Sequence, residues 1–120
     1  MKKIFTIPVI TIFSILFLTS CVRDSTYIDE GYWLTKERGV VVHKDPYCQY
    51  FVIETNYGYT ILRSVNGYKP YEGAVVYGNF SNYGFRDFYN RSTGIVFTSE
   101  VQEYWLDYYE AQNAIEYYCY

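Results

Sequence analysis

The chain reads as a mainly β protein, a small five- or six-stranded barrel or curled antiparallel sheet with one C-terminal amphipathic α-helix. Three observations carry that expectation. From Gly39 to about residue 102, short runs of β-branched and aromatic residues alternate with turn residues. Beyond Val101 the apolar spacing changes to intervals of three and four, the period of a helix. Tyrosine alone contributes 17 residues, and tyrosine suits pleated, half-buried surfaces.

The N-terminus stands apart from this domain. Lys2 and Lys3 precede an apolar run from Ile4 to Leu18, which ends in Leu18, Thr19, Ser20 and Cys21. A basic start, a short apolar core and small residues describe a secretory signal. The ending resembles the lipobox of bacterial lipoproteins, in which the leader is cut before a cysteine that then carries the lipid. A retained transmembrane helix fits less well, because the run is shorter than the roughly 20 residues needed to span and contains Pro8. The expected organisation is therefore a signal peptide over 1–20, a lipidated N-terminus at Cys21 with a tether to residue 36, and one domain over 37–120. Asp24, Ser25 and Thr26 resemble the short O-glycosylation acceptor of Bacteroidota. Val22 lacks the aspartate that resembles an inner-membrane retention signal in enteric bacteria, which implies the outer membrane.

Loss of the leader changes the charge. Without Lys2 and Lys3, eight basic residues face thirteen acidic ones, a net charge of −5. That balance argues against a nucleic-acid partner, which needs a basic stripe. It also leaves membrane attachment to the acyl anchor rather than to charge. A chain of this length buries only about 60–65% of its unfolded surface, so extra stabilisation would help.

The expected strands follow in order. Val40 to His43 stops at Lys44, Asp45 and Pro46, because proline cannot continue a ladder. Tyr50 to Thr55 and Tyr59 to Ser64 are joined by Asn56, Tyr57 and Gly58 as a tight hairpin. Asn66, Gly67, Lys69 and Pro70 mark a longer loop. Ala74 to Phe80 and Phe85 to Asn90 pair around Ser81 to Gly84, and Ile95 to Val101 follows Gly94. Val101, Tyr104, Trp105, Tyr108, Ala111, Ile115 and Tyr118 then form the apolar stripe of a helix of about four turns, with acidic and amide residues between them. An interfacial membrane helix would need lysine on its polar face, which this one lacks.

Cys48 and Cys119 remain once Cys21 carries lipid, and export places them in an oxidising compartment. The expected bridge would join the loop between the first two strands to the end of the helix. It is worth on the order of 4 kcal/mol in the chain-entropy model. A metal site or a reactive thiol is the alternative reading, but a metal site needs about four ligands, and His43 is the only histidine.

Gly39 to Val42, the hairpin at Gly58, the run from Glu72 to Gly78 and the return strand at Phe85 resemble the strand order of small OB-type barrels. Together with the leader, the plan is similar to small lipoproteins of Bacteroidota, some with NigD-like OB domains. It departs from the OB pattern in placing the helix after the last strand. The resemblance implies the fold and the address, and no activity, catalytic residue or cofactor.

Enzyme chemistry finds little in the sequence. No serine lies in a Gly-x-Ser-x-Gly context, His43 reads as a surface or strand-end residue, and Glu100 with Glu103 fits a helix start, where acidic side chains favour the dipole. Asp29 and Glu30 form another carboxylate pair that could be proposed as acid and base. Tyr57, Tyr68, Tyr71 and Tyr83 fall in expected turns and loops, and are the candidate binding residues. Rigid amphipathic rings give contact area at small entropic cost. Two functions follow from them: a non-catalytic module that holds an envelope protein, or a binder of glycan or cell-wall polymer.

Overall fold

Strand alternation closes the β segments on one another, as the computed structural model of the chain shows for residues 28–120. The leader, Cys21 and the Asp24 to Thr26 motif lie outside the described residues. The elements are α1 (Glu30–Trp33), β1 (Glu37–Lys44), β2 (Tyr50–Thr55), β3 (Gly58–Ser64), β4 (Val75–Gly78), β5 (Gly84–Asn90), β6 (Ile95–Leu106) and α2 (Tyr108–Cys119). The strands form a closed antiparallel barrel in the order β1-β2-β3-β6-β5-β4, with β4 returning to β1. Two three-stranded meanders are thus joined by the crossover from β3 to β4, in which Pro70 is fully buried.

The inward positions supply the core. Val41, Phe51, Ile53, Leu62, Val76, Phe88 and Val101 meet inside the barrel, and Phe80 joins them from just beyond β4. Phe80 and Phe88 stack with ring centroids 5.0 Å apart. Each such ring is worth about 1.5–3 kcal/mol in burial. Gly78 makes the stack possible, because a Cβ there would lie 2.3 Å from the Phe88 ring. Polar side chains also enter the barrel: Ser64 faces Ser99 across the β3–β6 ladder, and both are buried.

A second apolar cluster lies outside the barrel, where Ala111 and Ile115 of α2 cover Val52 and Ile61. The disulfide Cys48–Cys119, with Cα atoms 5.5 Å apart, ties the last helical residue to the β1–β2 loop. On another face, α1 occupies residues that the sequence pattern assigns to a tether. Trp33 stacks on Tyr89 at 6.1 Å, and the Tyr89 hydroxyl donates to Glu30 Oε2 at 2.7 Å.

The C-terminal helix is shorter than its spacing suggests. Val101, Tyr104 and Trp105 belong to β6, which runs to Leu106 and pairs with β3 from Ser99 onward. The helix starts at Tyr108 because Asp107 caps it: the Glu110 N–H donates to Asp107 Oδ1, and the Asp107 N–H donates to Glu110 Oε1. This reciprocal box is worth about 1 kcal/mol, and β-branched and aromatic residues before it favour the strand. Glu100 and Glu103 are consequently strand residues and not a helix start. The β4 strand is also shorter than expected, and Ala74 and Phe80 flank it. Among the described residues, no helix is long and apolar enough to cross a membrane.

Candidate functional site

Three segments distant in sequence bring aromatic rings together at one end of the barrel. The β2–β3 turn presents Tyr57, the end of β6 presents Tyr104 and Trp105, and the β4–β5 loop presents Tyr83. Tyr57 stacks on Trp105 with centroids 5.5 Å apart and planes 29° apart. Tyr104 meets Trp105 edge to face at 5.8 Å, and Tyr83 meets Tyr104 at 4.8 Å. Tyr104 also packs against the barrel core. The result is a continuous strip, Tyr57–Trp105–Tyr104–Tyr83, in which Tyr57 is 61% exposed, Trp105 57% and Tyr83 65%.

The backbone is shaped to display Trp105. In the β3–β6 ladder Tyr59 pairs with Leu106 and Ile61 with Glu103, so Tyr104 and Trp105 together face Thr60. Such a bulge re-aims a side chain. Trp105 has φ +58°, and among the described residues no other non-glycine residue has positive φ. A bulky residue in that region costs about 1–3 kcal/mol and persists only where the surroundings impose it. Gly58, with φ +122°, lets the turn approach: a Cβ there would lie 2.5 Å from the Leu106 carbonyl oxygen. The indole N–H donates to Ser81 Oγ at 2.8 Å, and Ser81 Oγ donates to Glu37 Oε2 at 2.9 Å. The ring is thus held from three sides and still faces solvent.

The structure divides the four candidate tyrosines. Tyr57 and Tyr83 reach the strip. Tyr71 is exposed elsewhere, with Lys44 Nζ 4.3 Å from its ring centroid. Tyr68 is not an exposed loop ring: it packs on Phe97 at 5.1 Å, and its hydroxyl accepts from Asn90 Nδ2 at 3.1 Å. The crossover folds down over the barrel and takes Tyr68 with it. Trp105 and Tyr104 were hidden from sequence reading because their spacing matches the helical stripe that follows; a non-glycine positive φ leaves no composition signal.

The cysteine corner is a structural site. Lys69 Nζ donates to the Asp45 and Cys48 carbonyls, and the Tyr120 hydroxyl donates to Asp45 Oδ2 at 2.7 Å. The Tyr120 hydrogen bond, with the Tyr47 N–H, holds the Asp45 carboxyl below its ordinary 3.8, and the same bond raises the Tyr120 phenol above 10.0.

His43 is a strand-end residue, the penultimate one of β1, and is half-buried: its Nε2 is buried without a hydrogen-bond partner, and it helps to line a cleft of about 370 Å3 beside α2. The carboxylates that the sequence offers as acid–base pairs are engaged in other contacts. Asp29 caps α1, Glu30 accepts from Tyr89, and Glu100 pairs with Arg63 at 2.8 Å. Among the described residues no three metal-ligating side chains come together.

Compared with family models, curated proteins and solved structures, the chain matches none.

Proposed function

We propose that this chain is an exported lipoprotein, anchored through Cys21 at the outer membrane, that acts as a non-catalytic protein-interaction module of the cell envelope. The strip Tyr57–Trp105–Tyr104–Tyr83 is its contact face. One observation carries this reading: Trp105 is held in a strained conformation that leaves its indole exposed among other rings. Strain kept where the side chain stays more than half exposed points to use, and tryptophan and tyrosine dominate the centres of protein interfaces. A glycan on the loop tyrosines has less support, because Tyr57 and Trp105 turn ring faces toward each other and Tyr68 is packed on Phe97.

In-cell crosslinking of the full-length chain tests the reading. Capture of one abundant envelope protein, lost in Trp105→Ala and Tyr57→Ala and retained in Tyr71→Ala, is the expected result. Capture that is unchanged in both strip variants overturns it. Membrane fractionation after Cys21→Ala checks the anchor, with loss from the membrane fraction expected.

A further inference from the structure

A second surface lies on another face of the barrel, in the groove between α1 and β5. The groove has a volume of about 450 Å3 and is lined by Tyr32, Trp33, Phe85, Asn79, Arg86 and Asp87, with Lys36 at its edge. That volume is within the range of small-molecule sites, about 300–1,000 Å3. Three aromatic rings therefore share a concave site with three planar polar side chains.

We infer that this groove is a binding site for an uncharged saccharide. Phe85 is the first reason. It projects outward from β5 and is 62% exposed, although burying a phenylalanine is worth about 1.5–3 kcal/mol. Arg63 approaches its ring at 5.9 Å, a contact that leaves the side chain largely open. Trp33 is supported from below by Tyr89 and meets Tyr32 edge to face at 5.4 Å, so the rings are held in place before any ligand arrives.

The polar groups are also set in advance. Asn79 Oδ1 accepts from the Ser81 N–H at 3.1 Å and from Asn82 Nδ2 at 3.0 Å, which orients its amide nitrogen as the donor left for a ligand. Arg86 is fixed by donating from Nε to the Asn82 carbonyl and from Nη2 to the Tyr83 carbonyl. Asp87 Oδ1 accepts from the Thr98 hydroxyl at 2.5 Å, which leaves Oδ2 for a second donor. Such groups match the neighbouring hydroxyls of a sugar ring, as donors and acceptors in a fixed plane, while the aromatic rings cover its C–H face. Lys36 and Arg86 outnumber Asp87 by one charge, but Lys36 Nζ lies 4.7 Å from the Tyr32 ring centroid and Arg86 is taken up by two backbone carbonyls, so the groups left for a ligand suit a polyhydroxyl without charge.

Saturation-transfer NMR on the full-length chain, in a detergent without a sugar headgroup, tests the assignment. The probes are methyl glycosides of glucose, galactose, mannose and N-acetylglucosamine and the corresponding disaccharides. Transfer to the ring C–H protons of at least one probe is expected, with affinity reduced about tenfold in Phe85→Ala and in Asp87→Asn and unchanged in Tyr71→Ala. Both groove side chains are exposed, and a melting curve on each variant confirms that it folds. Absence of transfer to every probe overturns the inference, as does binding that survives both groove variants or disappears with Tyr71→Ala. The last result would place the sugar at Tyr71 and not in the groove.

Discussion

The barrel carries two helical covers, and they are built on opposite plans. The C-terminal α2 has twelve residues, a reciprocal cap, two buried apolar side chains and a covalent tie. The N-terminal α1 has four residues, none of them buried, and is held by one stacked tryptophan and by Glu30, which accepts from Tyr89 and faces Arg91 at 3.7 Å. The first cover is a permanent part of the domain. The second is held by contacts at its side chains, and it borders the groove proposed to take a ligand. Closure and access are thus assigned to different faces of one small barrel.

The largest test of this contrast is the bridge. Replacing Cys48 and Cys119 together by serine should lower unfolding free energy by on the order of 4 kcal/mol, read by denaturant titration with and without reductant. An unchanged midpoint would mean that α2 holds by packing alone. Next in size is Ile115→Ala, which truncates the larger of the two buried apolar side chains of α2 and should cost about 2–4 kcal/mol. The corresponding change on the other cover, Trp33→Ala, should cost only about 1 kcal/mol, the scale of an aromatic pair. If the two losses are equal, the covers do not differ as described.

The smallest effect is electrostatic. The Tyr89 phenol is raised above its ordinary 10.0, first by its hydrogen bond to Glu30 and then by desolvation and by the Glu30 charge, with Arg91 opposing. A raised folded value means that the associated stability is complete below pH 10 and is lost as pH rises through the folded value. Ultraviolet titration of Glu30→Gln should show one tyrosine ionising at lower pH than in the parent, with melting slightly lowered near neutrality, where that contribution is complete. Tyr59 and Tyr118 are also raised, Tyr59 chiefly by its bond to Glu54 and Tyr118 chiefly by desolvation. Alkaline unfolding should therefore begin above pH 10 in the parent, and circular dichroism across that range checks it.

Trp105→Gly addresses the aromatic strip. Glycine accepts positive φ without strain, so the variant should be at least as stable as the parent while losing partner capture. A large loss of stability would show that Trp105 is structural.

Much of the fold was legible because strands announce themselves locally. Tyr50 to Thr55 is observed with the same limits, and the hairpin at Gly58 follows from its turn residues. The barrel and the C-terminal helix follow from the change of apolar period. The helix start was not legible, since Val101, Tyr104 and Trp105 have spacing compatible with both periods, and the decision falls to the Asp107 cap and to pairing with β3. The Cys48–Cys119 bridge was expected from the cysteine count and from the export signal that the leader resembles. The strip and the groove depend on which loops meet in space, through a bulge at Trp105 and the docking of α1. No pattern within one segment encodes such a meeting.

One consequence of the closed strand order concerns how anything can be recognised at all. Each of the six strands already has a neighbour on both sides, and because β4 meets β5 only at Val76–Asn90 and Tyr77–Tyr89, a visiting strand would find only short stretches of open backbone. Strand addition is the backbone route by which other domains bind extended peptides. Here little of the backbone is open, and selectivity falls chiefly to side chains.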